Sequence, residues 1–171
     1  MSLYRGLVYR ALNPVYAREP LSGEGAARHG GRFNPKGTPA LYTSLSPHTA
    51  IRESNQVGTL QPTTLVAYRA EIAPVFDTAD PAALAERNIA PGTLADPAWR
   101  ERMLNGQEVP THELARALMA QGFAGLIVPS YAKGAAADAL NLVLWRWNDQ
   151  PGRTLHLVDD EQRLSGEPCE P

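Results

Sequence analysis

Cysteine is almost absent from this chain. Its 171 residues include one, Cys169, close to the C-terminal end. A single cysteine forms no internal disulfide, which fits a reducing compartment. Long apolar runs are missing too. Nothing approaches the roughly 20 residues of a membrane span, and residues 1–10 lack the apolar core of a signal peptide. Neither sign of charge dominates: 16 Lys and Arg against 18 Asp and Glu give a formal net charge of −2. That balance supplies no field to draw in nucleic acid or an anionic membrane. A soluble cytoplasmic protein is expected, with no direct nucleic-acid or membrane partner.

Several catalytic signatures are also missing. His29, His48, His112 and His156 are scattered, and no two share a metal-ligand spacing on one element. Gly23-x-Gly25 neither follows a strand directly nor opens a helix as in dinucleotide-binding folds, and there is no P-loop lysine motif. No Gly-x-Ser-x-Gly elbow marks a serine nucleophile. Trp99, Trp145 and Trp147 invite a base-stacking reading. Trp145 and Trp147, two apart in an apolar strand, fit packing on one face of a core better. No bound metal is expected.

What is present suits one domain, long enough to bury roughly 70% of its unfolded surface. Residues 3–12 alternate loosely between apolar and polar and read as a first strand, ended by Asn13-Pro14. Residues 21–31 read as a Gly-rich loop, and long loops in compact domains tend to be functional or mobile. Gly23, Gly25, Gly30 and Gly31 would let its backbone approach a ligand or take positive φ; a plain surface loop is the alternative. Residues 40–43 are a short buried strand. Ser46 is a natural N-cap and Pro47 suits a first turn, so a helix is predicted to about Val57, with Gly58 as its stop. Ala50, Glu53, Ser54 and Val57 share one face of it, while Arg52 points away.

Residues 63–72 have strand composition and are closed by Pro74, with Val75 and Phe76 as a brief further strand. Residues 81–87 and 97–104 read as short helices joined by a Pro91-Gly92 turn. Val109-Pro110-Thr111 starts a better helix, in which Leu114, Ala115 and Leu118 share a face and Gly122 is the stop. Residues 124–128 and 140–147 read as strands around a small-residue loop, and residues 154–158 as a strand beside the latter. Strands outnumber helices without alternating regularly, so the class is α+β, with mixed or antiparallel sheets and flanking helices. Residues 1–158 are taken as one domain and residues 159–171 as a polar, frayed tail.

Four residues are candidates for chemistry, and their joint occurrence carries more than any one of them. Arg32, between Gly31 and Phe33, can offer a bidentate guanidinium fork to phosphate, which lysine cannot reproduce, or is a plain surface arginine. Tyr42, in an apolar strand, can stack on a flat ring with its hydroxyl satisfied at a pocket edge, or is a plain core tyrosine. Glu53 faces inward, and a buried carboxylate needs a partner or a purpose. Beside a breaking glycosidic bond it can stabilise an oxocarbenium-like sugar. Ion pairing to Arg10 or Arg32 is the competing account. Ser130, after a buried strand, is placed for a polar ligand contact, or is a turn residue.

These residues resemble those of the RES-domain family, named for an arginine, a glutamate and a serine, which supplies the toxins of bacterial RES–Xre toxin–antitoxin pairs, among them the ParT-type toxins. The likeness spans roughly residues 7–147. It rests on Tyr9-Arg10, on LSGEGAARHGGRFN at residues 21–34, on Leu41-Tyr42-Thr43-Ser44, on Glu53, on Val128-Pro129-Ser130 and on Asn141-Leu142-Val143-Leu144-Trp145. Residues 76–106 match least well.

The resemblance implies an α+β fold similar to ADP-ribosyltransferases, acting on NAD+ as a substrate. Arg32 would hold the pyrophosphate, with Arg10 as a weaker candidate. Tyr42 would pack at the nicotinamide end, Glu53 would serve the glycosidic carbon, and Ser130 would position nicotinamide or its ribose. A mono-ADP-ribosyltransferase modifying a host metabolic protein is expected, held in check by an Xre-type helix-turn-helix antitoxin that blocks the pocket. Phosphate or water as acceptor would make it instead an NAD+ phosphorylase or glycohydrolase. A non-catalytic nucleotide-binding module is the alternative of another class.

Overall fold

A computed structural model describes residues 2–55 and 58–164. The chain opens on β1 (Ser2–Leu12), a 3₁₀ turn (Pro14–Tyr16) and α1 (Glu24–His29). It continues through β2 (Leu41–Ser44), α2 (Pro47–Ser54) and β3 (Thr64–Asp77). Four helices follow: α3 (Pro81–Ala85), α4 (Pro91–Ala95), α5 (Trp99–Leu104) and α6 (Pro110–Ala120). The last strands are β4 (Gly125–Pro129), β5 (Leu140–Leu144) and β6 (Arg153–Leu157).

All six strands join one sheet in the order β1-β2-β5-β4-β3-β6, and β1 also pairs with β3. That extra pairing closes five strands into a barrel-like ring, with β6 added outside it. Only β3 and β4 run parallel; the other pairings are antiparallel. The pleat sends alternate residues to opposite faces. On β5, Leu142 and Leu144 enter one cluster with Val8, Leu41, Tyr68, Ile72 and Leu155. Val143 enters the other, where Leu126 and Val128 meet Leu114, Ala115 and Leu118 of α6. One sheet thus separates two cores.

Several sequence expectations need correction. Residues 21–31 are not wholly loop, because α1 forms across them: Ser22 Oγ accepts from the Glu24 amide at 3.3 Å, and Gly30, with φ +72°, ends the helix. α2 stops at Ser54 with Asn55 as C-cap; Val57 lies outside the described residues, and Ser54 is exposed. Pro74 does not close β3. It falls where the ladder with β1 shifts register, between Ile72 and Val75, so its missing N–H breaks no regular pair. Pro91 and Gly92 open α4 instead of forming a turn. β6 pairs with β3 and not with β5. Because β5 ends at Leu144, Trp145 and Trp147 leave strand geometry and pack into different clusters. The described residues hold six strands and six α-helices, so strands do not outnumber helices. Of the expected tail, residues 159–164 form a turn in which Asp159 accepts from the Arg163 and Leu164 amides, and Leu164 packs on the barrel cluster.

Candidate active site

A row of residues crosses four strands at one end of the barrel. Tyr9 pairs with Ser44, Ser44 with Asn141, and Asn141 with Val128. α2 packs against β1 beside this row, and between them lies a cleft of about 190 Å³. Tyr9, Arg10, Tyr42, Ser44, Glu53 and Asn141 are among its lining. The helix is aimed by its start: Ser46 Oγ accepts from the Thr49 amide at 3.1 Å, with Pro47 in the first turn. The 3.6-residue period then buries Thr49 and Ala50 and brings Glu53, half-buried, to the cleft wall.

The Glu53 carboxylate is held by neutral donors from two strand ends. Ser130 Oγ donates to Oε1 at 2.6 Å, and Asn141 Nδ2 donates to the same oxygen at 2.5 Å. Ser44 Oγ donates to Asn141 Oδ1 at 2.7 Å. Arg32 lies near enough for its charge and that of Glu53 to feel each other. Among the described residues, no group of three or more His, Cys, Asp or Glu side chains could hold a metal ion.

Tyr42 is part of the cleft lining, but its hydroxyl is not at the pocket edge. It points away, donating to Asn34 Oδ1 at 2.7 Å and accepting from the Phe33 amide at 3.0 Å. Burial pushes this phenol well above its ordinary value, against the opposing pull of the Phe33 amide and Arg32. Asn34 is itself fully buried and donates to the Ala26 and Thr38 carbonyls, both at 2.9 Å. Tyr42 is therefore fastened to the turn that carries Arg32.

Arg32 sits outside the cleft lining and has less room than its small neighbours suggested. Its guanidinium lies 5.0 Å from the Tyr131 ring and 5.8 Å from that of Trp99. Nη1 donates to the carbonyls of Asp96 (2.7 Å) and Leu94 (3.2 Å), whereas Nε and Nη2 make no hydrogen bond among the described residues. One edge is thus anchored and the other, a two-donor fork, is available to an anion. Burial lowers this guanidinium from its usual value, while Tyr131, Glu53, Asp96 and Tyr42 oppose the shift. From behind, Thr111 Oγ1 donates to the Arg32 carbonyl at 2.5 Å, and His112 Nε2 is 2.8 Å from the Gly31 carbonyl.

Arg10, in the cleft lining, is tied to the loop before α1. Its Nη1 donates to the Pro20 and Ser22 carbonyls at 3.2 and 3.4 Å, the former also receiving the Tyr68 hydroxyl at 2.5 Å. Arg10, Tyr42 and Glu53 line one cleft, with Ser130 bonded to Glu53 and Arg32 outside the lining, over the Tyr131 ring. Sequence reasoning missed Ser44, Asn141, Tyr131 and Trp99 as members of this surface. A polar Asn141 heading an otherwise apolar strand was the available signal.

The family model of the RES domain matches residues 7–165, nearly the whole chain. The protein belongs to the RES-domain family. RES domains are associated with NAD-consuming toxins of toxin–antitoxin pairs. A comparison with curated proteins finds no match. Arg32, Glu53 and Ser130 are the arginine, glutamate and serine of the sequence resemblance, and they gather at one end of this RES domain. No helix among the described residues is long and apolar enough to cross a membrane.

Proposed function

We propose that this RES domain is the toxin of a bacterial toxin–antitoxin pair and that it consumes NAD+, most simply by mono-ADP-ribosylating a host metabolic protein. The observation that carries the reading is Glu53, whose carboxylate is held by Ser130 and Asn141 at the wall of an open cleft. A carboxylate fixed in place before reaction stabilises positive charge that develops on an adjacent sugar carbon. As the glycosidic bond of NAD+ breaks, its electron pair leaves with nicotinamide, and the ribose carbon becomes electron-poor beside Glu53. The acceptor's nucleophilic atom then donates a pair to that carbon and loses its proton.

Size supports an extended pose. The cleft of about 190 Å³ is below the roughly 300–1,000 Å³ of pockets that enclose a drug-sized ligand. The nicotinamide riboside end would enter against Tyr42, and the pyrophosphate would lie across the surface to the free fork of Arg32. Arg10, tied to the loop before α1, would shape the cleft more than clamp phosphate. NAD+ serves as a substrate, with no metal required. The fold reading that accompanies this function is likeness to ADP-ribosyltransferases, the cellular setting is cytoplasmic, and the partners are an Xre-type helix-turn-helix antitoxin covering the cleft and a host protein acceptor.

Mass spectrometry of the protein incubated with NAD+ and cell lysate tests this directly. Nicotinamide release with a mass gain on a lysate protein is the expected result. Glu53→Gln should reduce release by about a thousandfold at nearly unchanged melting temperature. Free ADP-ribose or its phosphate ester would instead assign water or phosphate as acceptor. Undiminished growth inhibition by folded Glu53→Gln would establish a non-catalytic module.

A further inference from the structure

The geometry points to Asn141 as the positioning residue of Glu53, with Ser44 bracing its amide; this rests on the reading of Glu53 as the group that serves the breaking bond. An asparagine side chain can present either its oxygen or its nitrogen to a neighbour, and the oxygen would repel a carboxylate. Glu53 therefore takes the nitrogen, and Ser44 braces the amide from its other end. Its hydroxyl, on a residue only 3% exposed, donates to Asn141 Oδ1 at 2.7 Å. With the oxygen bound there, Nδ2 faces the acceptor-only carboxylate of Glu53, 2.5 Å from Oε1.

The backbone gives this arrangement stiffness that a loop residue would lack. Asn141 is flanked in the sheet by Ser44 on β2 and Val128 on β4. Ser130, the other donor to Oε1, begins a small-residue loop, although its own amide is tied to the Ala139 carbonyl at 2.8 Å. Asn141 thus donates from within the sheet, and Ser130 from the residue just past β4. Sites held on strands are placed more tightly than sites held on loops. A displaced catalytic group loses rate even when substrate still binds. Asn141 acts through Glu53 and is not itself the group that meets the reacting carbon.

The test is nicotinamide release by Asn141→Leu, a near-isostere without donor or acceptor, and by Ser44→Ala, which removes one hydroxyl. Asn141→Leu should lower kcat about a hundredfold, and Ser44→Ala about tenfold, with KM nearly unchanged. Combined with Glu53→Gln, Asn141→Leu should cause almost no further loss, because its effect passes through the missing carboxylate. A merely structural role gives the opposite pattern: losses that multiply with Glu53→Gln and track the melting temperature. That pattern, or a rise in KM with kcat intact, overturns the assignment.

A readout independent of turnover is the ¹⁵N-labelled side-chain amide resonance of Asn141. It should show slowly exchanging protons that shift in both Ser44→Ala and Glu53→Gln. A wild-type chain that leaves NAD+ intact would sink the functional reading. A freely exchanging Asn141 amide, unmoved by either substitution, would sink this one.

Discussion

Asn34 shows how little freedom the Arg32 turn has. Its amide nitrogen serves the Ala26 and Thr38 carbonyls, and its oxygen receives the Tyr42 hydroxyl. The same two groups explain Gly31, since a methyl group added there would collide with the Tyr42 hydroxyl and the Asn34 oxygen. Gly31→Ala should therefore cost about 1–3 kcal/mol through overpacking, lower the melting temperature, and raise KM for NAD+ by shifting the adjacent Arg32. Thermal melts and steady-state kinetics check both effects. The Gly30-Gly31-Arg32-Phe33-Asn34 run stood out in the sequence as a candidate ligand-facing element. Its tie to Tyr42 was not, because a tyrosine hydroxyl carries no sequence signal of whether it ends in a pocket or in a buried asparagine.

At the scale of elements, caps and spacing were the most readable features. Ser46 and Pro47 begin α2, and helical periodicity alone brought Glu53 inward. α6 was legible from Pro110 to Gly122, but its attachment to the Arg32 turn through Thr111 and His112 was not. A histidine read as one of four scattered residues gives no hint of an acceptor 81 positions away. That attachment has a pH signature. Burial holds the His112 imidazole below its ordinary 6.5, with Arg116 adding to the shift and the Gly31 carbonyl and Glu113 opposing it. The unfolded chain thus takes up a proton that the folded chain refuses. Stability from this group is fully present above about 6.5 and is lost as pH falls through the lowered folded value. Melting temperature should decline with acidification across that window, and the decline should be shallower in His112→Gln, which keeps a donor for Gly31 without titrating.

For the whole molecule, the α+β class was legible from composition and strand patterning, whereas ring closure was not. The β1–β3 ladder and the place of β6 on β3 join segments far apart in sequence, and such pairings have no local signature. The one sheet lies between two apolar clusters, so damage on either side should be felt by both. Leu118→Ala on the helical side and Leu142→Ala inside the barrel should each cost about 2–5 kcal/mol. Both should lower one shared calorimetric transition; two separately shifting transitions would mean that the clusters unfold independently.

The distances in sequence across the Glu53 cluster also order events in time. Ser130 and Asn141 stand 77 and 88 residues after the carboxylate they hold. A ribosome that has released α2 has made the glutamate but neither of its donors, and β2 still waits for β5 to pair with it. Interrupted translation products ending before Ser130 therefore carry Glu53 without its support. The site comes into being late in synthesis, in the same step that closes the ring.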